Sequence, residues 1–300
     1  MPSAFPTVSV IVPAHNAAPH LRECLISLRN LKYPADRFEV VVVDNNSTDE
    51  TPAIARDVGF EPLACARPGP AAARNLGIRQ TRGEIVVFID SDAVADPDWL
   101  VHLMKPFDDP NVGGVGGRIA PCRRITGPEI HATIRGVLDQ KQYAAGLPPY
   151  MLPFVATVNA AYRASILKEL GGFDEEFTIG EDADLAWRAQ WAGWELAYVE
   201  EARVRHYNRP DRASYLSQAC QYGRGGAHLF AKHRRRLGFR VWIEWRNFPS
   251  MGLALARIPI ALVAGRNGWE RVAPMYDLAV GACWLAGRVA ESLKRRVIVI

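Results

Sequence analysis

Three hundred residues exceed the ~100–200 of a usual single domain, so the chain holds either two domains or one large domain with an appendage. It is 49% hydrophobic and 23% charged, a globular composition that excludes disordered and collagen-like chains. No uncharged apolar run reaches the ~18 residues of a membrane-spanning helix. Five scattered cysteines (Cys24, Cys65, Cys122, Cys220, Cys283) fit neither a disulfide framework nor a paired-cysteine zinc site. Residues Met1 to Pro6 lack the basic and apolar blocks of a secretory signal, so cytoplasmic chemistry is expected. The net charge of +4 hides a split: residues 1–200 hold 18 basic against 26 acidic side chains, residues 201–300 hold 18 against 6. Two parts with different partners are expected.

In chain order, Thr7–Val12 is a β-branched run that predicts a buried strand ended by Pro13. Leu21, Cys24, Leu25 and Leu28 then recur at helical spacing. Phe38–Val43 is almost wholly apolar, the pattern of a parallel strand covered on both faces, and stops at Asp44. Ser47 to Glu50 reads as a capping box opening a helix toward Val58. A helix after Pro70 and a third apolar strand, Glu84–Ile89, complete an alternation that predicts a doubly wound α/β sheet. Residues 112–149 are rich in Gly and Pro and predict only irregular strands and loops. Asn159–Tyr162 reads as a strand, with a helix through Leu170. Glu181–Ala192 reads as a helix, and Trp194–Val199 and Arg203–His206 as strands. Beyond them come basic helices with interspersed aromatic residues.

Ligands of open α/β sheets sit beyond the carboxyl ends of the strands. Here three strands in succession end on polar residues: His15 and Asn16, then Asp44 to Asn46, then Asp90 to Asp92. A lone Asp-x-Asp is an ordinary acidic turn. After five apolar strand residues, Asp90 and Asp92 can face one hard cation, Mg²⁺ or Mn²⁺, that takes its remaining ligands from substrate phosphate and water. Glu181 and Asp182 open a helix, where they either cap it or leave one carboxylate as a general base. Arg74 offers a guanidinium for a diphosphate, and His206 an imidazole for the same metal.

Together these segments resemble family-2 glycosyltransferases of the GT-A fold. The matching stretches are Val8–Asn16, Val41–Thr51, Ala71–Asn75, Asp90–Asp92, Asn159–Arg163, Leu170–Asp174 and Gly180–Asp182, in family order over about residues 7–210. The resemblance implies that Pro13 and Asn16 lie near the nucleotide, that Asp44 hydrogen-bonds the base and that Arg74 lies near base or phosphates. It places Asp90 near the ribose, Asp92 on the metal with His206 as a looser match, and Asp182 as catalytic base with Glu181 and Asn159 in support. A Gln-x-x-Arg-Trp element, typical of processive members, is missing, so a single inverting transfer is expected. The implied donor is a UDP-, GDP- or dTDP-linked sugar, and the implied acceptor a saccharide or lipid-linked hydroxyl in envelope polysaccharide or glycolipid synthesis.

These readings put a GT-A domain at 1–206 and a basic helical region at 207–300. In the latter, Met251–Gly265 and Ala273–Ala286 are apolar but broken by Arg257, Pro259 and Asp277. With Trp242, Trp245, Trp269 and Trp284 among arginines, they predict helices lying on an anionic membrane surface, at its cytoplasmic face. A helical subdomain packed on the catalytic domain is the alternative. No recognition module points to nucleic acid. Two rival functions stay open: a haloacid-dehalogenase-like phosphatase with Asp90 as nucleophile, and a non-catalytic nucleotide-sugar-binding or membrane scaffold protein.

Overall fold

The computed structural model describes residues 5–146, 151–243, 247–265 and 268–299. Contacts divide the chain into two units, Met1–Cys122 with Leu138–Tyr207 and Arg123–Val137 with Asn208–Ile300.

The first unit begins with β1 (Val8–Ala14), α1 (Leu21–Arg29), β2 (Phe38–Asp44), α2 (Thr51–Asp57), β3 (Leu63–Ala64) and α3 (Pro70–Gln80). It continues through β4 (Ile85–Ile89), β5 (Ala93–Ala95), α4 (Trp99–Met104) and β6 (Val112–Pro121). Helix α5 (Gly127–Ile134) belongs to the second unit. The first resumes with α6 (Gln140–Ala145), β7 (Asn159–Arg163), α7 (Ala164–Glu169), α8 (Glu181–Trp191) and β8 (Glu195–His206). The eight strands form one sheet in the order β3-β2-β1-β4-β7-β6-β8-β5. Neighbours from β3 to β4 are parallel, β6 also runs parallel to β8, and β7 and β5 run antiparallel to their neighbours.

The apolar runs explain this placement. Central strands β1 and β4 are buried on both faces, which requires side chains of both parities to be hydrophobic. Val8, Val10 and Val12 face a core with Leu21, Leu25, Leu28 and Trp99, whereas Ile11 faces Ala71–Ala73, Phe88 and Tyr162. Parallel register sets Ala14 beside Asp44 and Ile11 beside Phe88. The carboxyl ends of β1, β2 and β4 therefore share one edge.

Three expectations are corrected. Residues 112–121 form a ten-residue strand rather than irregular chain. Trp194–Val199 and Arg203–His206 are one strand, β8, whose pairing with β6 jumps between Val199 and Val204. The Ser47–Glu50 capping box does not form: α2 has no side-chain cap, and Ser47 instead accepts the backbone N–H of Asn16 at 3.0 Å.

The second unit contains α5, α9 (Arg212–Leu237), α10 (Asn247–Ala264) and α11 (Gly268–Arg295), with short strands β9 (Val241–Trp242) and β10 (Ile298–Val299) paired in parallel. A Cβ on Gly223 would lie 1.9 Å from the Trp284 carbonyl oxygen, and one on Gly287 1.9 Å from that of Cys220. Helices α9 and α11 thus touch backbone to backbone, which only glycine permits. His131 is buried in this unit between the Tyr215 hydroxyl, 2.8 Å from Nδ1, and Asp277, 2.9 Å from Nε2. Trp269 packs on His131 and Tyr276, and Arg288 lies 4.4 Å above the Trp284 ring. Trp269 and Trp284 thus pack within the unit while staying half-buried, and Trp245 lies outside the described residues. No described helix is long and apolar enough to cross a membrane.

Candidate active site

The polar ends of β1 and β2 are tied into one ledge. Asn16 and Asn46 adopt left-handed backbone angles, φ 48° and 60°, which asparagine tolerates better than other side-chain-bearing residues. Asn16 Oδ1 accepts the Thr48 N–H at 2.8 Å. Asn45 donates to the Arg67 carbonyl at 2.7 Å and accepts the Gly69 N–H at 2.7 Å, so the loop before α3 is pinned to β2. Pro13 and Asp44 stand on this ledge, and the Asp44 carboxylate receives the Ser47 N–H at 3.4 Å. The clasping role of Asn45 was not legible beforehand, since an Asn-Asn-Ser loop looks the same whether it clasps or floats.

Behind the ledge lies a buried charge relay of fixed geometry. Arg74, on α3 and 4% exposed, donates to Glu181 Oε1 at 2.6 Å and to Asp90 Oδ1 at 3.0 Å. Burial works against its charge, but Asp90 and Glu181 outweigh this and hold its pKa above the ordinary value. Arg74 Nε and Glu181 Oε2 are buried without a hydrogen-bond partner among the described residues. The guanidinium thus joins the end of β4 to the start of α8 rather than reaching freely toward a diphosphate.

Asp182, next on α8, is half-buried, and its Oδ1 accepts the Ala183 N–H at 2.8 Å. Burial, reinforced by the negative charge of Glu181, pushes its pKa up to about 7. Asp184 has a different task. It is fully buried and pairs at 2.8 Å with Arg188, which donates to the carbonyls of Leu170 and Gly172. Asn75 grips the same turn, exchanging 2.8 Å bonds with the backbone of Phe173. These contacts fix where α8 begins. Gly172, at φ +73°, would carry its Cβ 2.5 Å from Asn75 Oδ1, so the glycine is required there.

The third group gathers because β5 turns back along β8. Ala93 pairs with His206, and Tyr207 N–H donates to the Asp92 carbonyl at 3.0 Å. One ligand atom each from Asp90, Asp92 and His206 lies within 4.8 Å of the others, with His206 Nε2 3.2 Å from Asp92 Oδ1. Two carboxylates and an imidazole converging at this spacing fit a divalent cation of the Mg²⁺ or Mn²⁺ kind. Tyr207 extends the group toward α1, stacking on His20 at 4.0 Å and donating to Glu23 at 2.6 Å.

Asn159 is near this centre but inward. It pairs with Ile89 across the sheet and is fully buried. Its Oδ1 accepts from Trp99 at 2.8 Å, and its Nδ2 donates to the carbonyls of Arg118 and Ala202. Both its amide protons and its carbonyl oxygen are thus engaged by the frame that carries Asp90 and His206.

A model of glycosyl transferase family 2 matches residues 9–171. Over 274 residues, 87% of the chain, the sequence is 31% identical to a pre-mycofactocin glycosyltransferase of Mycobacterium tuberculosis, of which it spans 57%. It is 29% identical over 259 residues to the glycosyltransferase AglE of Haloferax volcanii, covering 81% of this chain and 82% of that one. Among solved structures, a mannosyltransferase of Pyrobaculum calidifontis in complex with GDP-mannose and Mn²⁺ aligns with a TM-score of 0.67 at 24% identity, covering 98% of this chain and 89% of the other. Glucosyl-3-phosphoglycerate synthase of M. tuberculosis, in complex with Mn²⁺, UDP and phosphoglyceric acid, aligns with a TM-score of 0.55 at 21% identity over 79% and 82%. The sheet and its flanking helices are those of the GT-A fold.

Proposed function

The chain belongs to glycosyl transferase family 2, and from that membership we propose that it moves one sugar from a nucleoside diphosphate donor to an acceptor hydroxyl, with inversion at the sugar carbon. The observation that carries this reading is the link from the Asp90, Asp92 and His206 cluster through Arg74 to Glu181 and Asp182. It joins a place for the donor's charge to a carboxylate set near neutrality.

Pro13, Asn16 and Asp44 would receive the nucleoside, with Asp44 on the base and Asp90 on the ribose. Asp92 and His206 would hold a divalent cation, whose charge offsets that of the diphosphate leaving group. Arg74, locked between two carboxylates, keeps Asp90 and Glu181 in place and lends positive potential to the phosphates. Asp182 then takes the proton of the acceptor hydroxyl as its oxygen attacks the anomeric carbon. Attack opposite to the departing diphosphate inverts that carbon. The salt bridge that engages Asp90 favours this role over that of a phosphatase nucleophile.

The donor is a UDP-, GDP- or dTDP-linked sugar, and the acceptor is a saccharide or lipid-linked hydroxyl of envelope polysaccharide or glycolipid synthesis. The basic last hundred residues suit work against the anionic cytoplasmic face of a membrane. Release of nucleoside diphosphate from a panel of such donors, with Mn²⁺ or excess chelator, tests the reading. Turnover of one donor that stops on chelation is expected; undiminished turnover in chelator would remove the metal from the mechanism, and phosphate release from simple monoesters would restore the phosphatase.

A further inference from the structure

Helix α10 leaves a broad apolar face uncovered. Its inner side is occupied: Ala254 is buried, and Met251 lies 3.1 Å from where Gly281 of α11 would carry a Cβ. Its outer side carries Phe248, Leu253, Leu255, Ile260, Leu262 and Val263, which are 41% to 87% exposed. Phe248, Leu255 and Leu262 recur at seven-residue spacing, as do Leu253 and Ile260, so they form two adjoining rows along the helix. Soluble chains seldom leave so many large aliphatic side chains contiguous in water.

The charges of the same unit say what covers this face. Arg257 is exposed on α10 itself, and Arg235, Arg236, Arg240, Lys294 and Arg296 are exposed elsewhere in the unit, on or just beyond α9 and α11. Residues 208–300 carry 16 basic against 5 acidic side chains. A second copy of the chain would bring the same excess of positive charge against this one and be repelled, whereas anionic headgroups attract it at on the order of 1 kcal/mol per basic residue. Eighteen residues of helix are about 27 Å long, short of the ~30 Å hydrocarbon core, and Arg257 and Pro259 interrupt them. Such a helix lies in the plane of the interface rather than across it.

We infer that α10 is the element that docks this chain on an anionic lipid bilayer, lying in the headgroup layer with its outer apolar rows in the acyl region and with Arg257 and the unit's other exposed arginines and lysines on the phosphates. The inference rests on the reading of the basic hundred as facing a membrane, and it names the helix and the side chains that enter the lipid.

Co-sedimentation of the full chain with vesicles of phosphatidylcholine alone, or of phosphatidylcholine mixed with phosphatidylglycerol, tests it. The chain should bind the mixed vesicles, and more weakly as salt rises. Leu255→Glu with Leu262→Glu, both already exposed, should lower partitioning on the order of a hundredfold, tenfold per leucine withdrawn from the acyl region. Melting temperature and Mn²⁺-dependent nucleoside diphosphate binding, read in the same samples, should stay unchanged. That binding reports separately on the transferase reading. The inference is overturned if the wild type ignores anionic vesicles at low salt or if the double variant binds them equally well. It also fails if the variant's only effect is to dissociate a dimer in sedimentation velocity.

Discussion

Asp182 combines two pressures that ordinarily exclude each other in a surface carboxylate: partial burial and an adjacent like charge. Both disfavour the anion, so its proton leaves near pH 7 rather than near 4, which matches a base that must accept a hydroxyl proton at neutral pH. The transfer rate should therefore rise with pH through about 7 and level off above it, a profile read from initial rates at saturating donor. Asp182→Asn should lower the rate on the order of 10³-fold while leaving the donor dissociation constant within about twofold. The same residue predicts a stability effect of known sign. Its folded pKa exceeds the unfolded value, so the native state holds the extra proton between about pH 4 and 7, and stability falls as pH rises across that window. Asp182→Asn removes this loss, and its melting temperature should exceed the wild type's at pH 8 but not at pH 4. Arg74 behaves oppositely. Replacing it with Met strands Glu181 as a buried charge and leaves half-buried Asp90 without its partner, a loss of about 3–5 kcal/mol expected in urea unfolding. Arg74→Lys should recover only part of that, because a single ammonium cannot reproduce the fork to two carboxylates.

At the scale of elements, strands whose apolar residues fill both faces were plain to read: Val8–Val12 and Ile85–Ile89 carry their burial in their composition, whereas of Phe38–Val43 only Val42 and Val43 are buried. The polar strand ends that gather the candidate site were legible for the same reason, since a parallel sheet brings its carboxyl ends to one edge. Strand β6 was not legible, because its glycines answer to neighbours that no local pattern reveals. A Cβ on Gly114 would lie 2.7 Å from the Tyr162 ring, and one on Gly117 2.2 Å from the Ala202 carbonyl oxygen. The rule that glycine disfavours strands was overridden by packing. Ser47 failed as a cap for a related reason, its hydroxyl being claimed by Asn16 from another loop, while the box that does form, Thr126 with Glu129, starts α5 where the text looked irregular. Nor did spacing reveal the Arg74 pairs, which join positions 16 and 107 residues apart. The α9–α11 contact offers a test of packing at this scale. Gly223→Val must push Trp284's backbone away, and a loss of about 1–3 kcal/mol is expected from overpacking, measured by chemical denaturation followed through tryptophan fluorescence.

For the whole molecule, the near-neutral total of +4 conceals an acidic and a basic part whose charges do different work. In the acidic part, Asp90, Glu181 and Asp182 are concentrated against one buried guanidinium with Asp92 beside His206, and a cation with a nucleotide would complete the balance. On the proposed reading, native stability then depends on ligand and metal together. A nucleoside diphosphate at a hundred times its dissociation constant should stabilise the fold by about 2.7 kcal/mol if it binds only the native state. That gain should appear as a rise in melting temperature with UDP, GDP or dTDP in the presence of Mn²⁺, and shrink when chelator replaces the metal. Asp92→Asn should lose most of the joint gain while melting near the wild type's temperature without ligands, since its contact with His206 is an exchangeable pair at the sheet edge. An equal rise with and without Mn²⁺ would place the nucleotide elsewhere, away from the Asp92 and His206 cluster. Whichever of the three bases gives the largest shift identifies the donor class, because the shared diphosphate and cation contribute alike to all of them and, on the proposed reading, the difference is left to the ledge of Pro13, Asn16 and Asp44.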